Sequence, residues 1–231
     1  MKILALIPAR GGSKRIPGKN IRYLGDKPLI NWTIDSVKNL PNIANVLVST
    51  DNEEISAIAK KAGACVPWTR PKELATDTSK AIDVVIYEIN KYEEAFEKVD
   101  GVLFLQPTSP FRKKETLKKG LSLYKKNNFQ PVIGVSPAKT HPLWCFTVSD
   151  NSMKPFIDSK TGLSTRSQDL PSVYSVNGSF YLNHPEDLRS NRTFFSSKTI
   201  PLIMPSQTES IDIDTEWDWW IAEQIIKDSK L

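Results

Sequence analysis

Short apolar runs and stretches of helical periodicity take turns along the first 136 residues. Residues 2–7 (KILALI) are mostly apolar and run into a loop, which fits a buried strand. At 28–40, PLINWTIDSVKNL spaces its apolar residues three and four apart behind a leading proline and reads as a helix. NVLVST (45–50) is a second strand. NEEISAIAKKAG (52–63) is a second helix, with acids in its first turn and Gly63 as its stop. A short strand is expected at 64–67. A long helix at 79–96, an apolar strand at 101–106 (GVLFLQ), a helix at 114–127 and a strand at 131–136 (PVIGVS) continue the series. Such alternation predicts a doubly wound, mainly parallel α/β sheet.

After Ser136 the rhythm breaks. Residues 137–175 are polar and turn-rich, with a weak strand pattern around LWCFTVS. Strand character resumes at NGSFYLN (177–183) and KTIPLIMP (198–205), and the amphipathic stretch TEWDWWIAEQIIKDSK (215–230) predicts a closing helix. About forty residues without strong elements inside a compact domain point to a functional segment or a partner surface. The domain expectation is therefore an α/β unit built from 1–136 and 176–231, with 137–175 as an insert.

The 231 residues are 39% hydrophobic and 25% charged, within the globular range. No stretch is long and apolar enough for a membrane span. Cys65 and Cys145 stand apart without metal-ligand spacing, so a cytoplasmic protein with no membrane partner is expected. The formal charge of +5 changes meaning once it is located. Seven of the 31 Lys and Arg residues, but one of the 26 acids, lie in residues 1–27, which leaves 24 basic against 25 acidic residues elsewhere. A local excess favours one compact anion site over a face that tracks nucleic acid.

That excess sits in IPARGGSKRIPGKN (7–20), a segment with three glycines, two prolines and no acid. It is not a phosphate loop of the G-x-x-x-x-G-K-[ST] kind: five residues separate Gly12 from Gly18, and Asn20 follows Lys19 where Ser or Thr would hold magnesium. Nor is it a G-x-G-x-x-G fingerprint, since Pro17 stops a helix from following the glycines. Gly11 and Gly12 leave backbone N–H groups open to an anion, and Arg10, Lys14 and Lys19 could neutralise a polyphosphate. A solvated basic loop is the competing reading. Ligands of open α/β sheets sit beyond the carboxyl ends of the strands, where this chain also delivers Ser49, Thr50, Asp51 and Gln106.

A second constellation is SIDIDTEWD (210–218). Asp212 and Asp214 are two apart in a strand-like stretch, so both carboxylates face one side and would repel without a cation such as Mg²⁺ between them. The competing reading makes Asp214, Glu216 and Asp218 the acidic start of a helix. His141 and His184 are too isolated for a metal site. Trp217, Trp219 and Trp220 read as packing for the last helix, Phe194 and Phe195 could be core, and one of Phe180 and Tyr181 should face the crevice.

Taken together, IPARGGSKRIPGKN, RPKELATDT, LQPTSPFR, THPLW, VNGSFY and SIDIDTEWD, in this order, resemble the CMP-acylneuraminate (CMP-sialic acid, nonulosonate) cytidylyltransferases. The resemblance runs from Ile3 to the last helix. It implies a Rossmann-like fold of the nucleotide-diphospho-sugar transferase type, with 137–175 as a dimerisation insert that reaches the neighbouring active site of a homodimer. It implies transfer from CTP to a nine-carbon 2-keto-3-deoxy sugar acid, with pyrophosphate and the CMP-sugar as products. Arg10, Gly11, Gly12, Ser13, Lys14, Lys19, Asn20, Arg70, Asp77 and Ser79 would bind CTP. Gln106 would lie between nucleotide and sugar, and Asp212 and Asp214 would hold Mg²⁺. Thr108, Ser109, Arg166, Asn177, Tyr181, Phe194 and Phe195 would serve the sugar, with Arg166 coming from the other subunit. Arg10, Lys19, Gln106, Asp212 and Asp214 would form the catalytic group. Two positions depart from the pattern: Trp144 stands where Lys often follows HPL, and Ser175 where Arg often precedes the NG turn. Loss of two cations implies a less hydroxylated sugar of the legionaminic or pseudaminic type. Kdo as the sugar acid, and a nucleic-acid-binding module, are the competing functions.

Overall fold

The computed structural model describes residues 1–158 and 162–228. In chain order its elements are β1 (Ile3–Pro8), β2 (Tyr23–Leu24), β3 (Lys27–Pro28), α1 (Leu29–Val37), β4 (Ile43–Ser49), α2 (Glu53–Lys61), α3 (Ala81–Ala95), β5 (Gly101–Phe104), α4 (Lys114–Lys126) and β6 (Val132–Pro137). They continue with β7 (Phe146–Ser149), β8 (Ser152–Pro155), β9 (Tyr174–Asn183), α5 (Pro185–Asn191), β10 (Ile200–Ile203) and α6 (Glu216–Asp228). The last residues of the expected C-terminal helix lie outside the described residues.

Six strands form one sheet in the order β10-β6-β9-β5-β1-β4. All run parallel except β9, which lies antiparallel between β5 and β6. The alternation along β1 explains its central place. Ile3, Ala5 and Ile7 face the side covered by α1, α2 and α4, while Leu4 and Leu6 face the side covered by α3 and α5. With both faces buried, β1 has to be apolar at every position, and it is. A third cluster joins Ile16, Leu24, Leu29, Phe111, Ile213 and Trp219, so that α6 closes over the start of α1 and the loop after β1.

Several expectations change in detail. The strand expected at 64–67 shrinks to a single bridge between Leu47 and Cys65, bounded by the turn at Gly63 and by Pro67. The weak pattern around LWCFTVS is β7, which pairs with β8 in a separate two-stranded sheet. Residues 211–214 join no ladder, yet Ile213 is buried while both flanking aspartates keep open faces, so the period-two alternation survives without a sheet.

Candidate active site

Chain order carries β1 to β4 on one side and then back past β1 to β5 on the other, which opens a crevice at the carboxyl ends of these strands. The loop after β1 fills its floor. Ala9 N donates to Ser49 O at 2.8 Å, and Asn20 donates through its side chain to Arg10 O at 3.0 Å, which fastens the loop at both ends. Ile16, buried, pins its middle on the third cluster. Gly11 N donates to Asp51 Oδ1 at 2.9 Å, and a Cβ there would lie 3.0 Å from the Asn52 side chain; the corresponding direction at Gly12 is open. Arg10, Ser13, Lys14, Arg15, Lys19, Asn20, Gln106 and Thr108 line a cleft of about 180 Å³.

Acids hold the cations of this loop. Asp77 pairs with Arg10 NH1 at 2.9 Å and also with Lys14. The Lys14 hydrogen bond, helped by Arg10, keeps the Asp77 carboxyl below its usual range. Asp214 accepts from Lys19 Nζ at 3.3 Å and pairs with Arg15 NH2 at 3.1 Å, while Lys19 also donates to Ile213 O at 2.7 Å. Lys19 is thus the link between the glycine loop and the acid pair, a link the sequence places 194 residues apart.

Asp212 is open towards the crevice but crowded by protein on its other sides. Desolvation by that crowding raises its carboxyl above the usual range; Asp214 adds to the effect, and the Thr108 hydroxyl, Lys19 and Arg112 oppose it. Two carboxylates that repel each other at the mouth of a cleft lined by cations could hold a divalent cation through hard oxygen ligands. Among the described residues no group of three or more His, Cys, Asp or Glu converges, so further ligands would have to come from phosphate and water.

The segment after β5 supplies the wall facing the loop. Beneath it lies Arg112, buried and, among the described residues, without a carboxylate in contact. Its guanidinium donates to Gln106 O at 2.6 Å, to Ser179 O at 2.5 Å, to the Thr33 hydroxyl at 3.0 Å and to Ser109 O. Burial lowers its pKa to about 9, which leaves the group charged at neutral pH. Gly178, at φ +72°, lets the Gln106 amide lie where a Cβ would overlap it. Ser109 Oγ donates to Asn177 O at 3.4 Å. The Asn177 side chain is taken up in a buried network: its Nδ2 donates to Ser136 Oγ at 2.7 Å and its Oδ1 accepts from Ser179 Oγ at 2.6 Å.

The other expected residues are spread around this centre. Arg70 is buried behind the loop at the end of β4. Ser79 Oγ donates to Glu73 O at 2.9 Å inside the turn that carries Asp77. On β9, Phe180 enters the core against α4, and Tyr181 turns to the opposite face. There Tyr181 lies 5.2 Å from the Phe194 ring and 6.4 Å from Phe195, and desolvation together with the charge of Asp212 raises its hydroxyl pKa. Arg166 is exposed on the insert, paired with Asp169 at 3.3 Å. Trp144 donates to Gly162 O at 3.2 Å. His141 and His184 each accept a backbone N–H through Nδ1 at a helical start, as caps. Arg15, Arg112 and Glu88 were not singled out by sequence reasoning. Glu88 left a signal, since it falls on the apolar stripe of α3 beside Val85, Ile89 and Tyr92.

A basic glycine-containing turn and a pair of acids facing it across one cleft, at the switch point of a Rossmann-like sheet, define a nucleotidyltransferase. The sequence profile of the Cytidylyltransferase family matches residues 4–209, and the chain belongs to that family. It is 42% identical over 229 residues to CMP-N,N'-diacetyllegionaminic acid synthase of Legionella pneumophila, covering 98% of this chain and 97% of that protein. Identity to pseudaminic acid cytidylyltransferase of Campylobacter jejuni is 32%, over 98% and 97% of the two chains. N-acylneuraminate cytidylyltransferase of Streptococcus agalactiae is also 32% identical, over 95% of this chain but 52% of that longer protein. Among solved structures, a CMP:2-keto-3-deoxy-manno-octonic acid synthetase complexed with CTP superposes with a TM-score of 0.70 over 98% of this chain and 99% of that one. At 17% identity that likeness speaks for the fold alone.

Proposed function

We propose that the protein transfers a cytidylyl group from CTP to a nine-carbon 2-keto-3-deoxy sugar acid, giving the CMP-sugar and pyrophosphate. The observation that carries this reading is one cleft lined by Arg10, Lys14, Lys19, Gln106 and Thr108, with Asp214 on Lys19 and Asp212 on the Thr108 hydroxyl beside it. In this reading the triphosphate takes the place that the Asp77 carboxylate holds on Arg10 and Lys14. The anomeric hydroxyl attacks the α-phosphate in line, the bond to the β-phosphate breaks so that pyrophosphate leaves, the hydroxyl proton passes to water, and Arg10 and Lys19 neutralise the charge on the phosphate oxygens. Asp212 and Asp214 fit Mg²⁺, which would screen the phosphates as a Lewis acid when bound. Arg70, Ser79 and Asn20 serve the nucleotide side. Thr108, Tyr181, Phe194 and Phe195 serve the sugar side, while Ser109 and Asn177, both buried and bonded within the protein, support that wall from behind; Arg166 is contributed by a second copy of the chain.

The sugar in this reading is a 5,7-diamido acid of the legionaminic or pseudaminic type. Trp144 and Ser175 stand where cations serve more hydroxylated sugars, and the 42% identity to the legionaminic acid enzyme supports the same choice. The experiment is pyrophosphate release by purified protein with CTP, Mg²⁺ and a panel of sugar acids. The expected result is a specificity constant for the 5,7-diacetamido acids at least about tenfold above those for N-acetylneuraminate and Kdo, the scale of one or two pocket contacts. A higher constant for N-acetylneuraminate overturns the choice of sugar, and no release with any acid overturns the activity.

A further inference from the structure

Glu88 lies in the middle of α3, fully buried, on a face otherwise made of Val85, Ile89 and Tyr92. A carboxylate there is costly unless its oxygens are occupied. Both are: Oε1 accepts from Ser49 Oγ at 2.5 Å and Oε2 accepts from Trp68 Nε1 at 2.7 Å. The Ser49 hydroxyl has one proton. Because it gives that proton to Glu88, its lone pairs turn the other way, where Arg70 Nε donates to it at 2.7 Å. Arg70 NH2 adds a bond to Ser49 O at 2.5 Å, the same carbonyl that receives Ala9 N at the root of the glycine loop. Arg70 N donates to Thr50 O at 2.8 Å. The guanidinium is therefore fixed on one edge, by Ser49, and its charge is felt by Asp51 and by Arg10, the latter a residue of the cleft. Glu88 is the counter-charge behind it, one hydroxyl removed.

From this geometry we infer that Glu88 is a positioning residue for nucleotide binding, which aims the Arg70 guanidinium at the nucleotide through the Ser49 hydroxyl. The inference rests on the proposed reading that Arg70 contacts CTP. An ordinary structural carboxylate would be indifferent to the route by which it is satisfied. Here the two routes differ in kind: the bond to Ser49 reaches the Arg70 guanidinium itself, whereas the bond to Trp68 holds the backbone segment two residues before Arg70. Removing the first should loosen the guanidinium, whereas removing the second leaves its bonds to Ser49 in place.

The test measures CTP affinity by titration calorimetry, together with kcat and KM, for Glu88→Gln, Ser49→Ala, the double variant, Trp68→Phe and Arg70→Met. Glu88→Gln and Ser49→Ala should each weaken CTP binding by about tenfold or more, the scale seen when a supporting partner of a binding group is lost, with kcat within about threefold. The double variant should be no worse than the single ones, because both break one chain of contacts. Trp68→Phe should lower the melting temperature and change CTP affinity clearly less than Ser49→Ala does. If Glu88→Gln does not fold, Ser49→Ala carries the test by the same criteria. Unchanged affinity in Glu88→Gln or Ser49→Ala beside a weakened Arg70→Met overturns the inference and leaves the role of Arg70 standing. Weakening by Trp68→Phe to the same degree makes Glu88 merely structural. Unchanged affinity in Arg70→Met overturns the role of Arg70 and the inference with it.

Discussion

Asp212 and Asp214 stand two residues apart on either side of buried Ile213, and their environments differ sharply. Asp214 is held by Lys19 and Arg15, while Asp212 meets the Thr108 hydroxyl and is desolvated. Asp212→Asn and Asp214→Asn should each lower kcat by on the order of 10²-fold, the scale of losing one charge-stabilising group. Steady-state pyrophosphate release at saturating Mg²⁺ checks this, and wild-type rates in either variant would remove that residue from the catalytic group. Arg112 raises a different question, because its four acceptors are neutral and belong to three segments. Arg112→Lys keeps the charge, but one ammonium cannot reach all of them in a fork. At least one buried carbonyl is left bare, so the variant should lose about 1–3 kcal/mol in denaturant unfolding. The acid pair was legible because its spacing is a chemical pattern in itself. Arg112 was not, since an arginine beside Phe111 reads as surface until the carbonyls of β9 and of the segment after β5 are seen to close over it.

At the scale of elements, periodicity identified those that bury a continuous stripe and missed those that do not. α4 shows why. Thr116, Leu117, Gly120, Leu121 and Tyr124 repeat every three or four residues and form its buried face. Gly120 breaks the propensity rule for a reason that lies in another element: the Phe180 ring of β9 occupies the space a Cβ would need. Gly120→Ala, favourable for an isolated helix, should therefore destabilise the protein by about 1–3 kcal/mol through overpacking. A melting temperature equal to or above wild type would show that α4 can slide away from β9. α5 escaped notice because PEDLRSN offers little apolar surface beyond Leu188; its local signals are the His184 cap, Pro185 at the first position, the first-turn acids Glu186 and Asp187 and Arg189 in the last turn. β7 and β8 form a hairpin with exposed Val148 and Met153, so β7 left only a weak pattern in the sequence and β8 went unnoticed. The antiparallel direction of β9 could not be read from its sequence at all. It follows from the long return after β6, which re-enters the sheet at the end where β6 left it, with Tyr174 opposite Pro137.

Across the whole molecule, two surfaces of the described residues are not explained by the core: Trp217 and Trp220 of α6, which stack on each other in the open instead of packing the last helix as expected, and the insert. Val148 (76% exposed), Met153 (58%) and Phe156 (68%) cluster in sequence on or beside the insert hairpin, with Tyr174 and Val176 exposed on the adjoining start of β9. Apolar side chains in this number on one segment mark a contact surface rather than a solvated loop. The proposed occupant is a second copy, whose insert would bring Arg166 to the neighbouring cleft. Val148→Asp with Met153→Asp should then shift the protein to a monomer in sedimentation velocity and abolish turnover while the far-UV spectrum is kept. A sharper experiment uses two variants that should each retain about a hundredth of the rate or less, Asp212→Asn and Arg166→Ala. In a dimer with shared sites, a mixed pair has one cleft with an intact acid pair and an intact Arg166 supplied by the partner. After unfolding and refolding as an equal mixture, half the dimers are mixed and one of their two clefts is whole, so roughly a quarter of the wild-type rate should return. If each cleft uses only its own chain, every cleft in the mixture lacks one group, and the rate stays at the level of the separate variants.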